Sequence, residues 1–197
     1  MILIAEDCSF TALGMRVYLK EKFSYPQKVS IVDTLQDVVT KLSEYPVHCV
    51  FLGADRVCNE WGQAELRRLV QRYRNTLFYI LTEVRCTPIN RLLVMADNLI
   101  IINRRDIRPV LDRMKAEHLY LSDNKSQLHR SDTFYVSRKE TRILNLFFRG
   151  ISHRVICNRL SIENKTLYSH LRNVMRRTHL VSMQQLYQIY KIKKIIP

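Results

Sequence analysis

The stretch NKTLYSHLRNVMRR, Asn164 to Arg177, carries side chains whose types and spacing suit a polyanion. Wound as a helix, it puts Lys165, Thr166, Tyr168, Ser169 and Arg172 on or beside one early face. Leu167, Leu171 and Val174 then fall on the opposite face. Lysine and arginine reach guanine O6 and N7, and hydroxyls reach bases or phosphates. His170, Asn173, Arg176 and Arg177 are candidates for phosphate contact. The chemistry on offer is recognition, and the charge agrees with it. The 197 residues carry a net +14, with 32 Lys and Arg against 18 Asp and Glu. From Asp132 to Pro197 there are 13 against 3, whereas the first 131 residues hold 19 against 15. Such a surplus on one small unit points to nucleic acid before a membrane surface.

Other chemistries find no support. The six histidines, His48, His118, His129, His153, His170 and His179, show no metal spacing with cysteine or acid. No nucleophile elbow, phosphate loop or dinucleotide fingerprint occurs. Neither enzyme activity nor a cofactor or metal is therefore expected.

The elements that must hold the basic helix follow from caps and periodicity. Ser137 and Glu140 form an S-x-x-E capping box ahead of Ile143, Leu144 and Phe147. Gly150 stops that helix. Ser152 is read as the cap of the next, with Val155, Ile156 and Leu160 facing inward. A tight turn at Ser161 and Ile162 leads into the basic helix, and Ser182 to Lys191 reads as a fourth. Two short helices joined by a tight turn make a helix-turn-helix, whose second helix enters the major groove.

The segment from Val136 to Thr178 resembles the LuxR/FixJ family of DNA-binding domains. The resemblance rests on Ser137, Lys139, Glu140, Ile143 and Leu144, on Gly150, Ser152 and Ile156, and on Leu160, Ile162, Thr166, His170, Asn173, Val174 and Arg177. Arg142, Cys157, Thr178 and His179 depart from it, the last standing where glycine is usual. The resemblance implies double-stranded promoter DNA as ligand and a fourth helix that helps pair two such domains.

The first part of the chain has another rhythm. Ile2–Ala5, Lys28–Val32, His48–Leu52, Thr76–Leu81 and Leu99–Ile102 are short apolar runs read as buried strands. Helical segments intervene at Phe10–Phe23, with Leu13, Val17, Leu19 and Phe23 after a Ser9 cap; at Thr34 onward; at Ala64–Tyr73; and at Ile107–Leu119. Strands alternating with helices imply a parallel sheet covered on both faces. The fold class is α/β plus all-α: a flavodoxin-like (βα)5 domain at 1–121, a polar linker SDNKSQLHRSD at 122–132, and a four-helix domain at 133–197. Five cysteines without a C-x-x-C pair, no signal-peptide pattern and no run of about 20 apolar residues fit a reduced, cytoplasmic setting. Trp61 is read as a core or interface residue.

The (βα)5 half resembles a response-regulator receiver. Such domains bind Mg²⁺ with two acids after the first strand and an aspartate after the third, which accepts phosphate. A Thr or Ser after the fourth strand and a Lys after the fifth complete them. Glu6 and Asp7 match the acid pair, and Thr82 matches the hydroxyl. The acceptor belongs at Leu52 or Gly53, which carry no carboxylate, and Asp55 comes later along the loop. Ile102 or Asn103 stands where lysine is expected, with Arg104 next. Glu6, Asp7, Asp55 and Thr82 are read as a vestigial pocket. The stretches EDCSFTALGMRVYL, NTLFYILTE and NLIIINRRDIRP are similar to the RcsA type of auxiliary regulator. That resemblance implies a phosphorylation-independent regulator, activator or repressor, that works as a homodimer or as a heterodimer with an RcsB-like response regulator. Two alternatives stay open: a modulator that titrates a partner without touching DNA, and an ordinary response regulator phosphorylated on Asp55.

Overall fold

The computed structural model describes residues 1–23, 28–84, 93–113 and 135–193. Six strands form one sheet: β1 (Ile2–Ala5), β2 (Val29–Ile31), β3 (Cys49–Gly53), β4 (Leu77–Thr82), β5 (Leu93–Ala96) and β6 (Leu99–Asn103). Their order is β2-β1-β3-β4-β6-β5. The pairs from β2 to β6 are parallel, and β5 runs antiparallel to β6. Among the described residues four helices cover this sheet: α1 (Ser9–Lys22), α2 (Leu35–Glu44), α3 (Glu60–Arg72) and α4 (Ile107–Arg113).

The side-chain period of two sorts each strand between two cores. Ile2 and Ile4 join Ala12, Met15, Leu19, Val110 and Leu111 beneath α1 and α4. Leu3 and Ala5 face the other way, against Leu35, Val38, Leu42, Leu66 and Leu69 of α2 and α3. Each fully buried Leu, Ile or Phe contributes about 1.5–3 kcal/mol, so the wholly apolar strands are what hold the sheet between its layers.

The doubly wound reading holds, and three local expectations change. Between β4 and β6, where a (βα)5 repeat puts a helix, the described residues form the antiparallel edge strand β5, whose first residue is Leu93. Cys8, rather than Ser9, is the N-cap of α1, with no side-chain cap bond. Leu13 and Val17 face solvent, because the sheet takes the Ala12, Met15 and Leu19 face of α1 instead. Thr34 does cap α2, in a reciprocal box with Asp37. Trp61 is exposed. The reading of α4 beyond Arg113, the 122–132 linker, Cys86, His118, His129 and the last four residues lie outside the described residues.

The C-terminal unit is helical: α5 (Arg138–Phe147), α6 (His153–Leu160), α7 (Asn164–Arg177) and α8 (Met183–Lys193). Ile143, Leu144, Ile156, Leu167, Leu171, Val174, Leu186 and Ile189 are its buried centre. Gly150, at φ +77°, turns the chain out of α5 in the left-handed region that glycine enters without steric cost.

Candidate nucleic-acid interface

Helix α7 is fixed from within. Leu167, Leu171 and Val174 bury one face against α5 and α6. The Ser137–Glu140 capping box forms in both directions, with the Ser137 amide donating to Glu140 Oε2 at 2.8 Å and the Glu140 amide donating to Ser137 Oγ at 3.3 Å. Arg177 Nη2 donates to the same Oε2 at 2.7 Å and so ties the end of α7 to the start of α5. Burial alone would raise the Glu140 pKa, but the hydrogen bonds from Arg177 and Ser137 outweigh it and hold the carboxyl below the usual glutamate range. The turn before α7 closes through Ser161 in the left-handed region, φ 49°, and a bond from the Ile162 amide to Cys157 O at 3.0 Å.

The outward face then presents what the sequence suggests, with amendments. Lys165, Tyr168, Ser169, Arg172 and Arg176 are exposed, and Thr166, His170 and Asn173 are half-buried beside them. Among the described residues, Lys165, Arg172 and Arg176 enter no ion pair, whereas Arg177 is turned back onto Glu140. Tyr168 is held by His153: its hydroxyl lies 2.9 Å from Nδ1 and the rings meet edge-on at 5.2 Å. His153 in turn stacks on Phe147 at 5.5 Å. Ser169 Oγ donates to Lys165 O at 2.9 Å. His153 is a positioning residue that sequence reasoning passed over, since its partner lies fifteen residues away on another helix. Ser152 stands at the N-cap of α6 without a side-chain cap bond, and Val155 is exposed rather than inward, because one apolar residue per turn is enough to seat this short helix.

The second cluster sits at the C-terminal ends of the strands, where open α/β sheets bind ligands. Glu6, buried, pairs with Arg104 Nη2 at 2.9 Å and accepts the Cys8 amide at 3.1 Å. Asp7 pairs with Arg56 Nη2 at 2.8 Å, and Arg56 also donates to the Asp33 carbonyl. Arg104 further reaches Glu83 at 3.1 Å and Asp55 at 3.4 Å. Burial works against the Arg104 charge, but its hydrogen bonds to Glu6, Glu83 and Asp55 dominate, and its pKa is raised. Gly62 lets α3 press on the turn that bears Arg56, since a Cβ there would lie 2.3 Å from the Arg56 carbonyl.

Gly53 ends β3 beside this cluster. A Cβ on it would stand 3.2 Å from Asp7 Oδ2 and 3.3 Å from Glu6 Oε2. A carboxylate at this position would complete a three-acid site; glycine leaves it out, and two guanidinium groups balance the remaining acids. Asp55, with a side chain 74% exposed, sits on the following 3-10 turn. Thr82 Oγ1 accepts the Val84 amide at 3.2 Å, and Asn103 Nδ2 donates to Val84 O at 2.8 Å. The strand-end hydroxyl and the residue in the lysine position are thus both bound to one loop. Arg104, missed as a central residue in the sequence, is the hub. No group of three or more metal-ligating side chains gathers among the described residues.

Comparison with known proteins fits both halves. The family described as "Transcriptional regulator RcsA, N-terminal dimerisation domain" matches residues 1–127. The chain belongs to the RcsA family of transcriptional regulators. Its C-terminal part, residues 135–190, matches "Bacterial regulatory proteins, luxR family". It is thus a LuxR-family DNA-binding transcription regulator of RcsA type. Among RcsA relatives it is similar to transcriptional regulatory protein RcsA of Erwinia amylovora, 22% identical over 195 residues, covering 96% of this chain and 92% of that one. The RcsA of Klebsiella aerogenes is 24% identical over 196 residues, with coverage of 98% and 94%. In fold the chain resembles the response regulator RcsB in a complex with DNA, at a TM-score of 0.57 and 17% identity, covering 97% of each chain. RcsB of Salmonella enterica serovar Typhimurium bound to the rprA promoter gives 0.56 at 15% identity, over 97% and 96%. No helix among the described residues is long and apolar enough to cross a membrane.

Proposed function

We propose that this regulator is an auxiliary DNA-binding subunit that pairs through its N-terminal domain with an RcsB-like response regulator, works in the cytoplasm, and binds promoters without waiting for its own phosphorylation. The observation that carries the reading is the contrast at Gly53: the strand-end acids meet Arg56 and Arg104 where an acceptor carboxylate and a metal would otherwise belong. Residues 1–121 form the pairing domain, 122–132 the linker and 133–197 the DNA-binding domain. It catalyses no reaction. Lys165, Thr166, Tyr168, Ser169 and Arg172 read bases or adjoining phosphates, and His170, Asn173 and Arg176 hold the backbone. Arg177 serves the fold first, through Glu140.

One experiment tests the reading. Promoter binding is measured by fluorescence anisotropy against salt, with the RcsB-like partner, before and after incubation of this chain with acetyl phosphate and Mg²⁺. Lys165→Ala and Arg172→Ala should each cost about 1–3 kcal/mol of specific binding if they touch base edges. Acetyl phosphate should add no mass to the chain and leave its affinity unchanged. Full affinity in the Lys165/Arg172 double mutant would favour a modulator that never touches DNA, and a phosphate recovered on Asp55 would restore the ordinary response-regulator reading.

A further inference from the structure

Helix α1 carries two apolar stripes. Ala12, Met15 and Leu19 are consumed by the sheet. Phe10, Leu13 and Val17 form a second stripe at i, i+3 and i+7, and these side chains are 88%, 46% and 52% exposed. Three large hydrophobics aligned on one helix face are a patch rather than scattered surface residues. Between them lies Gly14, exposed, in mid-helix. A Cβ at Gly14 would meet nothing within 4 Å, so no packing inside the subunit asks for glycine there. A glycine in a helix interior weakens the helix relative to alanine. Its use on such a stripe is to let another backbone approach closely, as small residues do where helices cross.

The rim narrows the choice of occupant. Arg16 and Lys20 lie along α1, and Arg108 of α4 acts on Tyr18. Of the nearby acids, Asp7 pairs with Arg56, and Asp112, which accepts the neutral Tyr18 hydroxyl and keeps its charge, has the Lys22 ammonium on its own backbone carbonyl. The stripe is therefore flanked by positive charge, with Glu21 the carboxylate at its far end. A second copy would bring a like-charged Arg16 and Lys20 rim to the same contact, on a unit that is itself basic, with 19 Lys and Arg against 15 Asp and Glu in the first 131 residues, and like charges facing one another select against a partner. An acidic rim is favoured. Residues 1–127 match a dimerisation domain, and α1 lies wholly within them.

We propose that the exposed face of α1, centred on Gly14, docks an apolar, acid-rimmed helix of a receiver-fold subunit, which is the RcsB-like partner of the reading above and rests on that reading. Phe10, Leu13 and Val17 form the dry centre, Gly14 sets the close approach, and Arg16 and Lys20 meet carboxylates at the edge.

The test uses the full chain and the purified RcsB-like response regulator of the same cell, with affinity from titration and self-association from sedimentation. Gly14→Leu is the informative variant, since leucine favours helix and removes only the room for approach. It should keep or raise the melting temperature of the free chain and weaken the complex about tenfold or more, as truncating or blocking a central contact does. Leu13→Arg should do the same, and Lys165→Ala should leave the complex intact. Undiminished affinity in both α1 variants would overturn the assignment of this face. Self-associated wild type that the same variants dissociate, with no uptake of the partner, would overturn the occupant. Wild type that binds neither itself nor the response regulator would overturn the pairing reading, and the docking face with it.

Discussion

The strand ends of the sheet and the outer face of α7 both gather charged side chains, and they use them in opposite ways. At the strand ends Glu6 and Asp7 are answered one to one by Arg104 and Arg56 at 2.8–2.9 Å, with the exposed Asp55 and Glu83 sharing Arg104 at 3.1–3.4 Å. On α7, Lys165, Arg172 and Arg176 stand in solvent with no acid to answer them. Internal pairing offsets the pull of Glu6 and Asp7 on an external cation and of Arg56 and Arg104 on a phosphate, whereas unanswered charge leaves the attraction to an outside polyanion intact. The same residue types thus make a fixed structural joint in one domain and a binding surface in the other. Arg177, on α7 but closed onto Glu140, shows that position along a helix does not decide between the two uses; a buried acid within reach does.

Four substitutions probe this division. Arg104→Ala should have the largest effect, since it strands the buried Glu6 carboxylate; losing one member of a buried pair costs about 3–5 kcal/mol. Urea unfolding should show it, while Lys165→Ala should move the same curve by less than about 0.5 kcal/mol, as a surface change does. Equal effects would break the contrast. Arg177→Ala should come next, at about 1.5–3 kcal/mol, the range for a hydrogen bond to a charged group. The pH dependence carries its sign. Glu140 lies below its ordinary range when folded, so the unfolded chain takes up the proton more readily. The stability it contributes is present at neutral pH and is lost as pH falls from the ordinary glutamate range through the lowered value. Arg177→Ala should flatten that acid limb in unfolding curves collected from pH 7 to pH 3. His179→Gly is the smallest and opposite in sign. His179 follows α7 at φ 54°, where a non-glycine residue costs about 1–2 kcal/mol. Allowing for contacts the imidazole makes, glycine should gain about 1 kcal/mol or less, read as a small rise in melting temperature with DNA affinity unchanged.

Much of this was legible in the residues. Short apolar runs, set apart by stretches of helical spacing, located the five parallel strands within a residue or so, and caps such as Thr34 and Ser137 marked helix starts through bonds only three residues long. The basic face of α7 followed because Leu167, Leu171 and Val174 fix the phase of that helix without ambiguity. In α1 the same rule failed. Phe10, Leu13 and Val17 satisfy helical spacing as well as Ala12, Met15 and Leu19 do, and only the neighbouring strands decide which stripe is buried. The antiparallel β5 was missed for a related reason: pairing partners, not local pattern, define an edge strand.

By itself, then, the sequence determined the helix-turn-helix, its outward basic face, and the lack of a carboxylate at the end of β3, because each depends on residue identity and on spacings within one or two turns. Only the tertiary structure decided that Gly53 faces Glu6 and Asp7, that Arg56 and Arg104 answer those acids, that Arg177 belongs to Glu140, and that Phe10, Leu13, Gly14 and Val17 form an open face. Those outcomes turn on distances of about 3 Å between groups far apart in the chain, and local propensity does not encode them.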